Sequence, residues 1–199
     1  ALKPRAVAAA IDRAKNRGVW PDHLDDGDYQ AEQITRIYAL YQERLKQANA
    51  LDFGDLLMQV VRLFEDHPEV LEKYRQRFHY ILVDEFQDTN QVQYRLVHLL
   101  ASGHGNLCVV GDDDQSIYRW RGAEVGNILG FERDYPGCET IRLEQNYRST
   151  KTILDAADAV VANNTGRKIK KLWTENDVGE GVTLETLPDD LEEGRFLAG

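Results

Sequence analysis

A chain of 199 residues, 42% of them apolar, is long enough to build one or two packed domains. Its formal net charge of −10 argues against a protein that coats duplex DNA with a basic face. That charge leaves room for single-strand binding, in which stacking on aromatic side chains contributes about 1–3 kcal/mol per base without net positive charge.

The two cysteines form no CxxC or Cys/His cluster, so nothing points to zinc. Cys108 lies inside an apolar run and reads as a buried free thiol, and Cys138 reads as a loop residue, a usage that fits the reducing cytoplasm. No apolar stretch approaches the roughly 20 residues a membrane-spanning helix needs, and no signal peptide opens the chain. A soluble, cytoplasmic protein is expected.

Pro4 suits the first turn of a helix, and Val7, Ala10, Ile11 and Ala14 recur at helical spacing up to Gly18. The acidic stretch Pro21–Asp28 is expected to be a loop. A long amphipathic helix follows, with Ile34, Ile37, Tyr38, Tyr41 and Leu45 on one face. Another helix is expected over Leu56–Phe64, and Pro68 opens a shorter one ending near Phe78. The apolar run Tyr80–Val83 is of strand type and breaks directly into Asp84 and Glu85; it reads as a buried parallel strand. Val92, Leu96, Leu99 and Leu100 give a crossover helix to a second apolar run, Leu107–Val110, which ends in Gly111 and three acids. Strand, helix and strand at this distance form a βαβ unit with parallel neighbours, which brings the two acidic tips together. Beyond it the pattern predicts a helix from about Ala123 to Phe131, a short strand Thr140–Leu143 and a loop NYRS at Asn146–Ser149. Ser149 is a candidate N-cap for a helix over Thr150–Asn163. Arg167–Lys171 reads as a solvated basic loop, with phosphate contact as the alternative, Val182–Thr186 as a further strand and the closing LEEGRFLAG as the first turns of a helix.

Open α/β sheets place their ligands at the carboxyl ends of their strands. Two acids at such a tip, Asp84 and Glu85, can hold a hydrated magnesium ion and polarise a water, the tasks of nucleoside-triphosphate hydrolysis. At the second tip stand Asp112, Asp113 and Asp114, a trio that also occurs in plain solvated turns. Gln115 is more pointed, because an amide carries a donor and an acceptor and can sense a phosphate oxygen or an attacking water. Tyr118 and Trp120 stand two residues apart, so in extended backbone both rings project to one side, with Arg119 and Arg121 interleaved. Aromatics beside cations compose a platform for unpaired bases; the alternative is a core aromatic pair. Arg148 is a loop guanidinium suited to phosphate recognition, against the ordinary alternative of a surface ion pair.

Three strings, VDEFQDTN, GDDDQSIYRWRGA and LEQNYRS, resemble consecutive motifs of superfamily-one DNA helicases of the UvrD, Rep and PcrA type, and LDFGDLL (Leu51–Leu57) resembles a softer motif of that family. The resemblance implies an α/β fold: a partial RecA-like (P-loop NTPase) parallel sheet with flanking helices over 49–143. Part of a helical accessory domain over 1–48 would precede it, and the beginning of a second RecA-like domain over 144–199 would follow. It also implies that Asp84, with Glu85, holds Mg2+, that Glu85 activates the hydrolytic water, and that Gln115 couples the terminal phosphate of ATP to the DNA site. Arg148 would contact the γ-phosphate and Tyr147 would stack on adenine. Phe53, Tyr118 and Trp120 would stack on single-strand bases while Arg121 holds the backbone. The implied activity is ATP-driven 3′-to-5′ movement on single-stranded DNA and unwinding at junctions, in repair or replication and with the protein partners of those processes.

No Gly in the chain is followed by Lys, so the phosphate loop G-x-x-x-x-G-K-[ST] is not among these residues, nor are the family's later motifs. The expectation is an internal piece of a longer helicase that does not hydrolyse ATP alone and, with sheet edges uncovered, self-associates. Helicase–nucleases of the AddA and RecB type share relatives of these motifs. A Toprim-like arrangement of Glu85 with Asp112–Asp114, binding magnesium for strand cleavage, leaves QSIYRWRGA and NYRS unexplained. An assembly module built on a dead motor would have lost Asp84, Glu85 or Arg148, and all three are present.

Overall fold

The computed structural model describes residues 2–24, 27 and 29–199. The chain divides into two compact units, Ala1–Cys138 and Glu139–Gly199.

In the first unit, α1 (Pro4–Asn16) and α2 (Tyr29–Gln47) pack through Val7, Ile11, Ala14 and the fully buried Tyr38, with Val19 and Leu24 at the margin. The stretch between them holds a 3-10 turn at Pro21–His23; Asp25, Asp26 and Asp28 of the expected acidic loop lie outside the described residues. Helix α3 (Phe53–Asp66) starts three residues earlier than its apolar pattern suggests. Asp52 and Asp55 form a reciprocal capping box there, which satisfies amides that a helix start leaves open. Met58 and Val61 of α3 meet Val92 of α5 (Gln91–Ala101), flanked by Trp20, Leu57, Leu96 and Leu99. Helix α4 (Pro68–Arg77) runs into β1 (Ile81–Val83).

Lys15, 3% exposed, ties α1 to the start of α3. Its Nζ lies 2.7 Å from Asp52 Oδ2 and 2.8 Å from Asp55 Oδ1. Tyr41 donates to Asp52 and Gln42 to Asp55, so this charged cluster is closed by hydrogen bonds. Burial alone would raise the Asp52 carboxyl, but hydrogen bonds from Lys15, the Asp55 amide and Tyr41, with the Lys15 charge, hold it below its ordinary range. Burial and the bond to Asp52 push the Tyr41 phenol up to about 12.

Strand β1 pairs in parallel with β2 (Leu107–Val109), Leu82 opposite Cys108, as the βαβ pattern predicts. The expectation of strands buried on both faces fails. Leu82 is 77% exposed and Cys108 is exposed, because the helices cover only the face carrying Ile81, Val83, Leu107 and Val109. The expected helix Ala123–Phe131 is instead two short turns, α6 (Gly126–Leu129) and α7 (Phe131–Asp134), which meet at Gly130. A Cβ at Gly130 would stand 2.9 Å from the Gly126 carbonyl oxygen.

The second unit is built on α8 (Lys151–Val161) and ends in α9 (Asp190–Ala198). The N-cap of α8 is Thr150 rather than Ser149, and its side chain makes no capping bond. The loop at Asp177–Val178 caps the helix instead, accepting the Lys151 and Thr152 amides at 3.2 and 3.1 Å. Thr140–Leu143 forms no strand; pairing begins only at Gln145, which bridges Trp173. Val182–Thr186 forms none either, since no described segment pairs with it, and Leu184 stands 91% exposed.

Candidate functional site

Asp84 and Glu85 leave the end of β1 on a sharp turn. Glu85 sits at φ +51°, a left-handed conformation that costs a non-glycine residue on the order of 1–3 kcal/mol. Phe86 offsets this: its ring is fully buried against Phe131 and Tyr94, and its amide donates to the Val110 carbonyl at 2.9 Å. The 3-10 turn Phe86–Asp88 then carries the chain to Asn90, which caps α5 in a box with Gln93. Behind Phe86, burial and a 2.8 Å bond to Asp134 raise the Tyr94 phenol, while Arg133 and Tyr94 hold Asp134 low.

Asp84 accepts the Glu85 amide at 2.9 Å and makes no ion pair with any described residue. Asp84, Glu85 and Asp88 line one cleft of about 440 Å³ together with Val83, Thr89 and Gln93. Asp88 Oδ1 is buried there without a hydrogen-bond partner among the described residues. Carboxylate oxygens of this kind suit Mg2+, a hard cation that keeps several waters and takes one or two protein carboxylates. The residues present therefore fit the ion.

The second tip lies beside the first, as expected. The Val110 amide donates to the Val83 carbonyl at 2.8 Å, and the Asp112 amide donates to Gln87 Oε1 at 3.0 Å. Gln115 is exposed and donates to Asp112 Oδ2 at 2.8 Å, which fixes its amide at the mouth of the loop. Asp112, Asp113 and Asp114 bring carboxylate oxygens within 4.8 Å of one another.

Tyr118–Arg121 is not extended backbone but a 3-10 turn that ends at Gly122, φ +89°. The Arg121 and Ala123 amides both return to the Tyr118 carbonyl, which curls the segment. The two rings still form one surface: their centroids are 6.4 Å apart, and the Arg121 guanidinium lies 5.3 and 5.4 Å from them. Trp120 is 78% exposed, which excludes the core-pair alternative. Phe53, the first residue of α3, is 90% exposed, held at its base by the capping box and the Lys15 cluster.

In the second unit, Asn146 Oδ1 accepts the amides of Arg148 and Ser149 at 2.9 and 2.8 Å. Asn176 donates to the carbonyls of Tyr147 and Ser149. These bonds shape a loop that presents Tyr147, 78% exposed, and the exposed Arg148 to solvent.

A family profile described as "UvrD/REP helicase N-terminal domain" matches residues 1–136, and one described as "UvrD-like helicase C-terminal domain" matches residues 141–199. The chain belongs to the UvrD/Rep helicase family. It is 51% identical over 198 residues to the "ATP-dependent DNA helicase PcrA" of Bacillus subtilis (strain 168), covering 98% of this chain and 27% of that protein. The protein of the same name from Staphylococcus aureus (strain Mu50 / ATCC 700699) gives the same identity and coverage. That of Leuconostoc citreum is 48% identical over 196 residues, covering 98% of this chain and 26% of the relative. The chain thus spans about a quarter of the length of the curated relatives it matches.

The sequence pattern did not reveal what positions the site of this UvrD/Rep-family chain. Gln87, 1% exposed, joins the two tips. Asn16, at the end of α1, accepts from Asn90 at 2.9 Å and donates to the Arg121 carbonyl at 3.3 Å, linking the α5 cap to the aromatic turn. A Cβ at Gly122 would meet Asn16 at 2.8 Å, so glycine serves there for both space and φ. Asn127 and the Glu124 amide hold the same segment to Thr89. Gln87 carried one available signal, an amide two residues after an acidic pair; Asn16 carried none.

Proposed function

We propose that this chain is the central part of an ATP-dependent DNA helicase that moves 3′ to 5′ along single-stranded DNA and unwinds junctions in repair or replication, in the cytoplasm. One observation carries the reading. A single stretch of backbone, Asp112–Arg121, has Gln115 bonded to Asp112, itself tied through Gln87 to Glu85, at one end and the exposed Tyr118, Trp120 and Arg121 surface at the other. The likeness to proteins named ATP-dependent DNA helicase PcrA supports it.

In this reading residues 49–143 belong to a first RecA-like domain, 1–48 to a helical accessory domain and 144–199 to the beginning of a second RecA-like domain. Asp84, with Glu85, holds Mg2+, which when bound neutralises phosphate charge and orients the terminal phosphate. Glu85 takes the proton of the attacking water. Gln115 reads the terminal phosphate, and a shift of its loop moves the aromatic turn directly, since only Ser116 and Ile117 separate Gln115 from Tyr118. Tyr118, Trp120 and Phe53 stack on bases, and Arg121 is placed for a phosphate. Tyr147 stacks on adenine, and Arg148 supplies positive charge to the γ-phosphate. Residues that cradle the phosphates in a P-loop are not among these 199, so the isolated chain should not turn over ATP.

The test is ATP hydrolysis and strand displacement by the full-length protein, with and without oligo(dT). Strong DNA stimulation and displacement of a strand from a 3′-tailed duplex are expected, with no turnover by the 199-residue chain. Magnesium-dependent nicking without nucleotide would overturn the reading in favour of strand cleavage, and turnover by the isolated chain would overturn its incompleteness.

A further inference from the structure

Gln87 lies between the two tips with both ends of its amide committed. Its Oε1 accepts the Asp112 backbone N–H at 3.0 Å, and its Nε2 donates to Glu85 Oε2 at 2.7 Å. The amide orientation is dictated by chemistry: a backbone N–H can only donate and an ionised carboxylate can only accept, so a flipped amide would lose both bonds. The side chain is 1% exposed, where an unpaired amide is costly and a fully paired one is rigid.

The surroundings are shaped for this bridge. A Cβ at Gly111 would stand 2.4 Å from Gln87 Oε1, so only glycine lets the second tip come this close. Ser116 Oγ also donates to the Gln87 carbonyl, at 3.4 Å. The residue that Gln87 grips, Asp112, uses its own carboxylate to accept Gln115 Nε2 at 2.8 Å and the Asp114 amide at 3.0 Å. A chain of direct contacts therefore runs from the Glu85 carboxylate through Gln87 and Asp112 to Gln115, with no water required. By holding Oε2 of Glu85, Gln87 orients the whole carboxylate.

We propose that Gln87 is a positioning residue: its buried amide sets the Glu85 carboxylate relative to the 111–115 loop, so that displacement of that loop by DNA at the aromatic turn is conveyed to the water-activating group. The proposal rests on the helicase reading and deepens it. Gln87 touches neither nucleotide nor DNA; it acts through Glu85 and Asp112.

The test compares full-length wild type with Gln87→Met, which keeps length and volume but loses both bonds. It also includes Gln87→Glu, which keeps the acceptor for Asp112 and places a second carboxylate against Glu85. For both variants the DNA-stimulated kcat should fall at least tenfold. KM for ATP and Kd for oligo(dT) should stay within about twofold, and the ratio of stimulated to basal turnover should drop toward one. Wild-type kcat and stimulation in Gln87→Met would overturn the proposal. So would equal losses in basal and stimulated rates accompanied by lost oligo(dT) binding, the signature of a packing role. A measurement on wild type covers variants that fail to fold. With 15N-labelled glutamine side chains, the Gln87 amide protons should exchange slowly and shift when oligo(dT) binds; rapid exchange or unmoved resonances would refute the bridge. If wild type shows no DNA-stimulated hydrolysis, the helicase reading fails, and the slow exchange still reports separately on the Gln87 contact.

Discussion

In residues 1–138 the loops that carry the candidate site are held by buried side chains, whereas in residues 139–199 the corresponding loop is held by side chains at the surface. The first unit buries Phe86, Gln87, Thr89 and Asn90 around one tip and Lys15 and Asp55 beneath Phe53. Among its described residues the second buries Leu154 alone, and it shapes its Tyr147–Arg148 loop with the half-buried Asn146 and the exposed Asn176. Hydrogen bonds in contact with water contribute only about 0.5–1.5 kcal/mol each, while buried and fully paired ones also exclude alternative geometries. The acidic tip is therefore preorganised within this chain, and the arginine loop is adaptable.

The largest effect should come from removing the charge at the centre of the first unit. Lys15→Met leaves Asp55 buried without its cation and should destabilise residues 1–138 by about 3–5 kcal/mol, read from denaturant unfolding. Hydrogen exchange should quicken across α1 and α3, with residues 139–199 little changed. An equal response in both units would break the comparison. Leu154→Ala should destabilise the second unit by about 2 kcal/mol, the low end for a core leucine, because so open a surrounding can collapse. Its amides should lose protection while those of β1 and β2 keep theirs.

Trp120→Ala in the full-length protein should weaken oligo(dT) binding by about 1–3 kcal/mol, measured by fluorescence anisotropy, without changing thermal stability, since the ring is 78% exposed. Unchanged affinity would remove Trp120 from the DNA surface. The smallest effect is on pH dependence. The Asp52 carboxyl is lowered in the folded state, so its contribution is complete above its unfolded value of about 4 and is lost as pH falls through the folded value. Acid should loosen the start of α3 before the rest of the first unit, and Asp52→Asn should abolish that early step. The uncovered sheet face at Leu82 and Cys108 should also drive association of the isolated chain, and light scattering showing a strict monomer at high concentration would refute this.

How much of this was legible beforehand depended on whether the signal was local. The parallel βαβ pairing, the proline-led helices and the convergence of the acidic tips followed from periodicity and strand length, and the structure bears them out. The strands expected at Thr140–Leu143 and Val182–Thr186 failed, because alternating apolar residues make a strand only where a partner offers its backbone groups. Cys108 was misread for a related reason: an apolar run says that a strand is suited to burial, and the neighbouring layers decide whether both faces are covered.

The order of apolar runs, the carboxylates at their ends and the aromatic–arginine alternation are written in the chain itself. They are set by bond geometry and side-chain chemistry over a few residues, so the parallel strand pair and the main helices could be read directly. Tertiary structure alone decided that Gln87 spans the tips, that Lys15 is buried between two aspartates and that Asn16 reaches the aromatic turn from 105 residues away. Those contacts join segments distant in sequence, and each partner's choice of bond depends on where packing places the other.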